Sequence, residues 1–220
     1  MAKSMLIHKS ESRQEKLNKF IPILMVLFVF IGTLPSVLAQ EVIKSPLGFA
    51  MEKPKGWIVT NDEKMTESLK NVELTDEIVT GLLKSRNNSL QVMAFQKYQT
   101  DEREGPIPTI QARMRPNPID TFDVFTAAFL RSIDPSKMPF ENYMIVSEEE
   151  VLVSGYKAVK VISTYSLAGQ STRVRSYAVP VGKQYFQVTF IDNPPGEDCS
   201  AVFDSLVKSI KIERGTPKKT

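Results

Sequence analysis

Residues 143–192 read YMIVSEEEVLVSGYKAVKVISTYSLAGQSTRVRSYAVPVGKQYFQVTFID, and the fold prediction starts from this stretch. It contains four runs rich in β-branched and aromatic residues, which predict strands over 143–153, 157–167, 171–181 and 184–192. Only two or three residues separate consecutive runs. Because connections this short join antiparallel neighbours, we predict an antiparallel meander.

Helical periodicity appears on both sides of the meander in the chain. Apolar residues predict a helix over 120–133, with Asp120 as its cap, and a last amphipathic helix over 199–210. Between about residues 65 and 84 the same spacing predicts one broken helix or two short ones. These helices lie outside the meander, so the chain has segregated helices and strands.

Shorter extended segments precede the 120–133 helix. The runs 89–98 and 106–115 predict two strands, and a Pro54-Lys55-Gly56 turn joins two extended pieces near the start, followed by Trp57 as a core anchor. The predicted class is therefore α+β, an antiparallel β-sheet with helices packed on it.

The first 39 residues predict a cleavable secretory signal. Five basic residues precede an uncharged run from Phe20 to Leu34, and Val37-Leu38-Ala39 follows with a small residue at its end. This order places cleavage between Ala39 and Gln40. The predicted organisation is a signal peptide over 1–39, a single globular domain over 40–212 and a polar tail over 213–220.

The alternative is a single-span membrane anchor, because residues 20–39 are long enough to cross a bilayer as a helix. Pro22, Gly32 and Pro35 make that stretch a poor long helix. Under either interpretation the chain after Gln40 is exported, to the periplasm or the extracellular space after cleavage.

Charge and residue types exclude several classes of function. The precursor has 28 basic and 25 acidic residues, and five of the former and two of the latter lie in the predicted signal, so 23 of each remain. A neutral mature chain gives no reason to expect binding to nucleic acid or strong binding to a membrane surface.

Histidine and cysteine are nearly absent. His8, the only histidine, lies in the predicted signal, which leaves the mature chain without Ser-His or Cys-His nucleophile pairs and without histidine ligands for a metal. Cys199 is the only cysteine, so neither an intrachain disulfide nor a thiolate cluster can form. We expect no catalytic residue, no metal site, no cofactor and no enzyme activity.

Two acidic runs remain as candidates for carboxylate chemistry. Adjacent residues of Glu148–Glu150 point to opposite faces of a strand, and Asp101–Glu104 lies in a turn where charges are normally solvated. Neither run has the oxygen-ligand spacing and glycine of a calcium loop. Both are interpreted as solvated surface.

Four arginines are the candidate contacts for an anionic partner. Each of two predicted strands carries a pair spaced by two, which places both guanidinium groups of a pair on one face. The residues are Arg113, Arg115, Arg173 and Arg175. Brought together, the pairs would form an anion-recognising patch. The alternative is two ordinary solvated faces, neutralised by Glu148 and Glu150.

Three segments together resemble the PsbP/Mog1-like family. They are GFAMEKPKGW at 48–57, GKQYFQVTF at 182–190 and FDSLVKSIKI at 203–212. The resemblance implies an α/β/α sandwich around an antiparallel sheet. Members include photosystem accessory subunits, a nuclear transport factor and exported bacterial proteins. The metal-binding histidines of some photosystem members have no counterpart here.

The resulting hypothesis is a non-enzymatic exported accessory or binding protein. Its expected partner is another protein, with membrane-associated proteins among the candidates. The alternatives are a carrier of a small apolar ligand and a carboxylate-dependent hydrolase. Fold alone does not choose between these functions.

Overall fold

The computed structural model describes residues 40–61, 67–69, 72–101 and 105–213. The predicted signal lies outside the described residues, as does the predicted tail apart from Glu213. Of the helix or helices predicted over 65–84, the second half is described in full, and residues 67–69 of the first half are helical.

The described strands and helices follow the predicted order. The strands are β1 Val42–Ser45, β2 Phe49–Glu52, β3 Ile58–Val59, β4 Leu90–Gln96, β5 Thr109–Pro116, β6 Glu141–Val153, β7 Tyr156–Leu167, β8 Gln170–Val181, β9 Gln184–Asp192 and β10 Lys211–Ile212. The helices are α1 Asp76–Ser85, α2 Phe122–Ser132 and α3 Ser200–Ser209, with a 3-10 turn at Pro135–Lys137.

Seven strands form the central sheet, in the order β3-β4-β5-β9-β8-β7-β6, and all neighbours are antiparallel. The predicted meander is confirmed, because β6 to β9 pair consecutively. At the β6–β7 turn both Ser154 and Gly155 have positive φ, of 53° and 81°. This conformation matches the twist of two-residue hairpins.

The first extended segments lie in two different sheets. The Pro54–Gly56 turn does connect β2 to β3, but β2 belongs to a separate three-stranded sheet with order β1-β2-β10, whereas β3 pairs with β4. The partner of β2 on one side is β10, more than 150 residues later in the chain. Local sequence carries no signal for so distant a pairing.

Two boundary predictions also change. The strand predicted over 106–115 begins only at Thr109, because Pro106 and Pro108 have no N–H group to give to a ladder. Asp120 was expected to cap α2, but the N-cap residue is Thr121, and its side chain makes no capping hydrogen bond. Thr75 caps α1, and its side chain accepts from the Ile78 N–H at 3.4 Å.

Helices cover both faces of the central sheet. On one face α1, α3 and β2 share a core with the sheet, and Phe190, Phe203 and Met51 lie fully buried there. On the other face α2 packs Phe125 and Phe129 against β7 and β8. This is the predicted antiparallel sheet with helices packed on it, and Trp57 is a core residue as expected, edge-on to Phe203 at 6.1 Å.

Candidate functional site

The two arginine pairs lie on opposite faces of the central sheet. Strand β9 separates them: Arg113 of β5 lies opposite Gln187, and Arg175 of β8 lies opposite Phe190. Cross-strand partners share a face, and Gln187 and Phe190 are an odd number of residues apart, so their side chains point in opposite directions. The two pairs are therefore not brought together, and the four arginines form no common patch.

Arg173 is held by an internal ion-pair cluster. Its Nε donates to Asp192 Oδ1 at 2.9 Å, and its Nη2 donates to Asp192 Oδ2 at 2.5 Å and to Asp198 Oδ1 at 2.7 Å. The Asp192 side chain is completely buried. These bonds raise the pKa of Arg173, mainly through Asp192. The Arg173 guanidinium is therefore already paired with carboxylates of its own chain.

Arg175 joins the same cluster from the next position on that face. Its Nη1 donates to Asp204 Oδ1 on α3 at 2.9 Å, and its Nη2 donates to Ser200 Oγ. Asp198 also accepts from the Ser200 backbone N–H at 2.8 Å, and Asp192 accepts from the Cys199 N–H at 2.9 Å. We call this set the β8–α3 cluster; its members are Arg173, Arg175, Asp192, Asp198, Ser200 and Asp204.

The β8–α3 cluster fastens the first turn of α3 to the sheet. Two of its carboxylates accept N–H groups at the start of α3, which would otherwise lack partners. The Ser200 hydroxyl and N–H, followed by Arg173, hold the pKa of Asp198 well below its usual range. Arg173 and Arg175 therefore have a structural role, and their partners are aspartates rather than Glu148 and Glu150.

Arg113 and Arg115 lie on the α2 face of the sheet. Arg113 Nη1 donates to Ser89 Oγ at 3.4 Å, and neither arginine forms an ion pair with a carboxylate of a described residue. Burial raises the pKa of Tyr185, and the neighbouring Arg115 guanidinium partly offsets that effect. That this pair contacts an anionic partner stays a prediction.

Strand β6 forms one edge of the central sheet, and its outer side is unpaired by any described strand. It is 13 residues long, whereas β3 at the opposite edge has two. Its register with β7 shifts between Glu141 and Met144 and again between Ile145 and Ser147, and is regular from Ser147 to Val153. We call Ser147–Val153 the regular half of β6.

The regular half of β6 exposes both charge and apolar surface. Glu148, Glu149 and Glu150 are exposed, as the solvated interpretation predicted, and Leu152 is 71% exposed. Glu150 forms an ion pair with Lys157 at 2.7 Å, and Glu149 with Lys160 at 3.3 Å. Sequence patterns do not predict this surface, because strand propensity does not say which strand of a meander ends the sheet.

A surface cavity of about 430 Å³ lies beside the first turn of α2. Its lining includes Asn117, Phe122, Lys157 and Lys183. The Asn117 amide already has partners on both sides, since Nδ2 donates to Gly182 O at 3.0 Å and Oδ1 accepts from the Ile119 N–H at 3.2 Å. Nothing in this lining selects a particular ligand.

The remaining candidate groups of the described residues are structural. Cys199 is buried as the N-cap residue of α3, and burial raises the pKa of its thiol, so the reactive thiolate is disfavoured. Within the described ranges no group of three or more histidine, cysteine or acidic side chains is arranged to hold a metal ion.

No helix of the described chain has the length and apolar composition to cross a bilayer.

Comparison with known proteins finds similarity in structure alone. None of the known family profiles matches the sequence, and no curated protein sequence matches it. The solved structure of the cyanobacterial PsbP protein CyanoP from Synechocystis sp. PCC 6803 matches with a TM-score of 0.50 at 10% identity, covering 81% of this chain and 96% of that one.

Two further solved structures match less closely. The Ran-binding protein Mog1p of Saccharomyces cerevisiae has a TM-score of 0.45 at 11% identity, covering 79% of this chain and 96% of that one. A Bacteroides thetaiotaomicron VPI-5482 protein has a TM-score of 0.46 at 10% identity over 80% of this chain, which spans about half (49%) of that protein. The likeness to CyanoP confirms that this chain has the PsbP/Mog1-like fold.

Proposed function

We propose that the mature chain is a non-enzymatic exported accessory protein that binds another protein through the regular half of β6. The observation that carries this proposal is the position of β6 at the edge of the sheet, with Leu152 71% exposed on a regular stretch of strand. An edge strand presents unpaired N–H and C=O groups that another extended chain can use.

Among the described residues, the alternatives lack a comparable observation. A carboxylate-dependent hydrolase needs carboxylates aimed at a substrate, and the aspartates of the β8–α3 cluster are bound to arginines and to the α3 backbone. A carrier of an apolar ligand needs an enclosed apolar pocket. The cavity beside α2 is lined by two lysines and an asparagine among its residues.

A site-specific cross-link tests the proposed surface. The variant Leu152→p-benzoylphenylalanine is expressed in the native cells with its full precursor, irradiated, and compared with Val124→p-benzoylphenylalanine. Val124 is a matched control because it is also an exposed apolar residue, at 53%, and lies on helix α2 rather than on the edge strand. The expected result is an adduct to one identified protein from position 152 and none from position 124. Equal cross-linking from both positions overturns the proposal.

Processing belongs to the same proposal. We propose that the signal is removed after Ala39, so that the working protein is the single domain that begins at Gln40. The intact mass of the purified protein tests this: a mass that begins at Gln40, or at its pyroglutamate form, is the expected result. A membrane-bound form that retains Met1 would instead make the first 39 residues a single-span anchor.

A further inference from the structure

The two halves of β6 are protected against pairing in different ways. Its first half, before Ser147, carries two register shifts, and such bulges twist an edge away from a neighbouring strand. Its regular half has no shift, and charge takes the place of the bulge as the protecting device. Only the regular half is shaped to accept another strand.

Charge and apolar surface alternate along this half in a defined order. Glu148, Glu150 and Leu152 are two residues apart, so their side chains share the α2 face of the sheet, and all three are exposed. Glu148 makes no ion pair with a described residue, and the lysines that pair with Glu149 and Glu150 approach from β7 rather than from the open side. The open side therefore presents negative charge next to one apolar residue.

We propose that the partner segment is an extended basic peptide, which adds to the regular half of β6 as an extra strand. Its Lys or Arg residues, spaced by two, would face Glu150 and Glu148, and an apolar residue two positions before the first of them would face Leu152. This inference rests on the proposed function, and names the chemistry of the partner. Opposite charges directly across an antiparallel pair are stabilising, and like charges are destabilising.

The same rule disfavours a second copy of this chain as the occupant. Antiparallel pairing of two regular halves about Glu149 places Glu148 opposite Glu150 and the two Glu149 residues opposite each other. Pairing about Glu150 places the two Glu150 residues opposite each other. Either arrangement brings like charges together, so a basic strand fits this edge better than another copy does.

A probe peptide tests the charge pattern. Acetyl-Thr-Val-Thr-Lys-Thr-Lys-Thr-amide places Val opposite Leu152 and Lys opposite Glu150 and Glu148 in an antiparallel arrangement, and a matched peptide has Glu in place of both Lys. Fluorescence polarisation with the mature protein is expected to detect the basic peptide and not the acidic one. Binding should weaken as NaCl is raised from about 50 to about 500 mM, because exposed charges are screened. Equal binding of both peptides overturns the inference.

Variants locate the contact on β6. Removing both charges with Glu148→Gln and Glu150→Gln should weaken binding of the basic peptide about fivefold at low salt, given the size of two cross-strand charge pairs. Glu73→Gln with Glu77→Gln is the matched control, because it removes two exposed glutamates at and just before the start of α1 and should leave affinity unchanged. Equal losses in the two double variants would contradict a specific site.

Backbone methylation separates strand addition from simple charge attraction. An added strand uses the N–H groups of alternate residues on one side. Two N-methylated versions of the basic peptide, one for each set of alternate residues, keep the charge and block one set of donors each. One of them should lose binding. If both bind as well as the parent peptide, the peptide does not pair as a strand.

The other occupants give distinct results. Glu213 follows Ile212, whose N–H donates to Ser154 Oγ at 2.9 Å, so the described chain ends beside the β6–β7 turn, and residues 214–220 include three basic residues. The tail is tested by a truncated chain that ends at Glu213. If this chain binds the basic peptide far more tightly than the full mature chain does, residues 214–220 occupy the regular half of β6. If sedimentation shows a dimer of the mature protein, and Leu152→Lys abolishes that dimer, the occupant of the regular half of β6 is a second copy of this chain. Either result overturns the inference.

The cross-link separates this inference from the proposed function. An adduct from position 152 whose mapped segment carries alternate basic residues supports both. An adduct that maps to an acidic or uncharged segment leaves the proposed function standing and overturns the basic-strand inference. The absence of any preference for position 152 over position 124 overturns both.

Discussion

Arg173 and Asp192 lie opposite each other on β8 and β9 and form a two-point ion pair, with Nε 2.9 Å from Oδ1 and Nη2 2.5 Å from Oδ2. The Asp192 side chain is fully buried, and that of Arg173 is 19% exposed. A charge pair in this position is costly to break from one side, because the remaining charge stays buried without its partner.

We therefore expect Arg173→Gln to lower the free energy of unfolding by about 3 kcal/mol, at the lower end for a broken buried pair. Urea denaturation of the mature protein measures it. Arg113→Gln is the matched control, since Arg113 makes a single hydrogen bond of 3.4 Å to a hydroxyl, and it should cost less than about 1 kcal/mol. Similar losses in the two variants would show that the pair with Asp192 has no special weight.

Asp198 makes stability depend on acid pH. Its folded-state pKa lies below the ordinary value of 3.8 because Ser200 and Arg173 stabilise the carboxylate. A carboxyl group whose pKa is lower in the folded state stabilises the protein at pH values above its unfolded-state pKa. This contribution is lost as the pH falls through the folded-state pKa. The urea midpoint should thus fall less steeply between about pH 4 and pH 2 in Asp198→Asn than in the wild type. Identical slopes would contradict this assignment.

Gly48 and Gly81 should respond oppositely to alanine. Gly48 has a φ of +74°, and a Cβ there would lie only 2.4 Å from the Glu213 carbonyl oxygen. That oxygen belongs to the chain after β10, whose Glu213 N–H also donates to Gly48 O at 2.9 Å. Gly48→Ala should therefore destabilise the protein by more than about 1 kcal/mol. Alanine disfavours a positive φ, and its Cβ would collide with the Glu213 carbonyl oxygen.

Gly81 is the matched control for that substitution. It lies within α1, and a Cβ there would meet no atom within 4 Å. Gly81→Ala should stabilise the protein by about 0.5 to 1 kcal/mol through helix propensity alone. Thermal denaturation of both variants checks the pair, and a destabilised Gly81→Ala would mean that α1 does not have the described surroundings.

The reaction rate of the Cys199 thiol indicates whether the start of α3 is intact. Its side chain is buried, and burial raises the pKa of the thiol, so a thiol reagent such as 5,5′-dithiobis(2-nitrobenzoate) should react slowly with the folded protein and fast in urea. Arg173→Gln should speed the reaction under native conditions, because the β8–α3 cluster positions the Cys199 N–H through Asp192. Fast labelling of the wild type would contradict the described burial.

Local patterns were sufficient for the meander and for most helices. The strands predicted over 143–192 agree with β6 to β9 to within two residues at each end, because their propensities and short turns involve neighbouring residues only. Trp57 as a core residue followed from the same kind of local chemistry, since it comes directly after the Pro54–Gly56 turn. The PsbP/Mog1-like resemblance, carried by three short segments, agrees with the observed fold.

Long-range pairing decided everything else about the candidate sites. The sequence placed Arg113 with Arg115, and Arg173 with Arg175, on one face each, but the register across β9 set those faces opposite to each other. The assignment of β2 to a second sheet, and of β6 to the edge of the first, likewise depends on which strands meet. Strand propensity describes a single segment, whereas an edge, a face and an ion-pair partner each arise from segments distant in the chain.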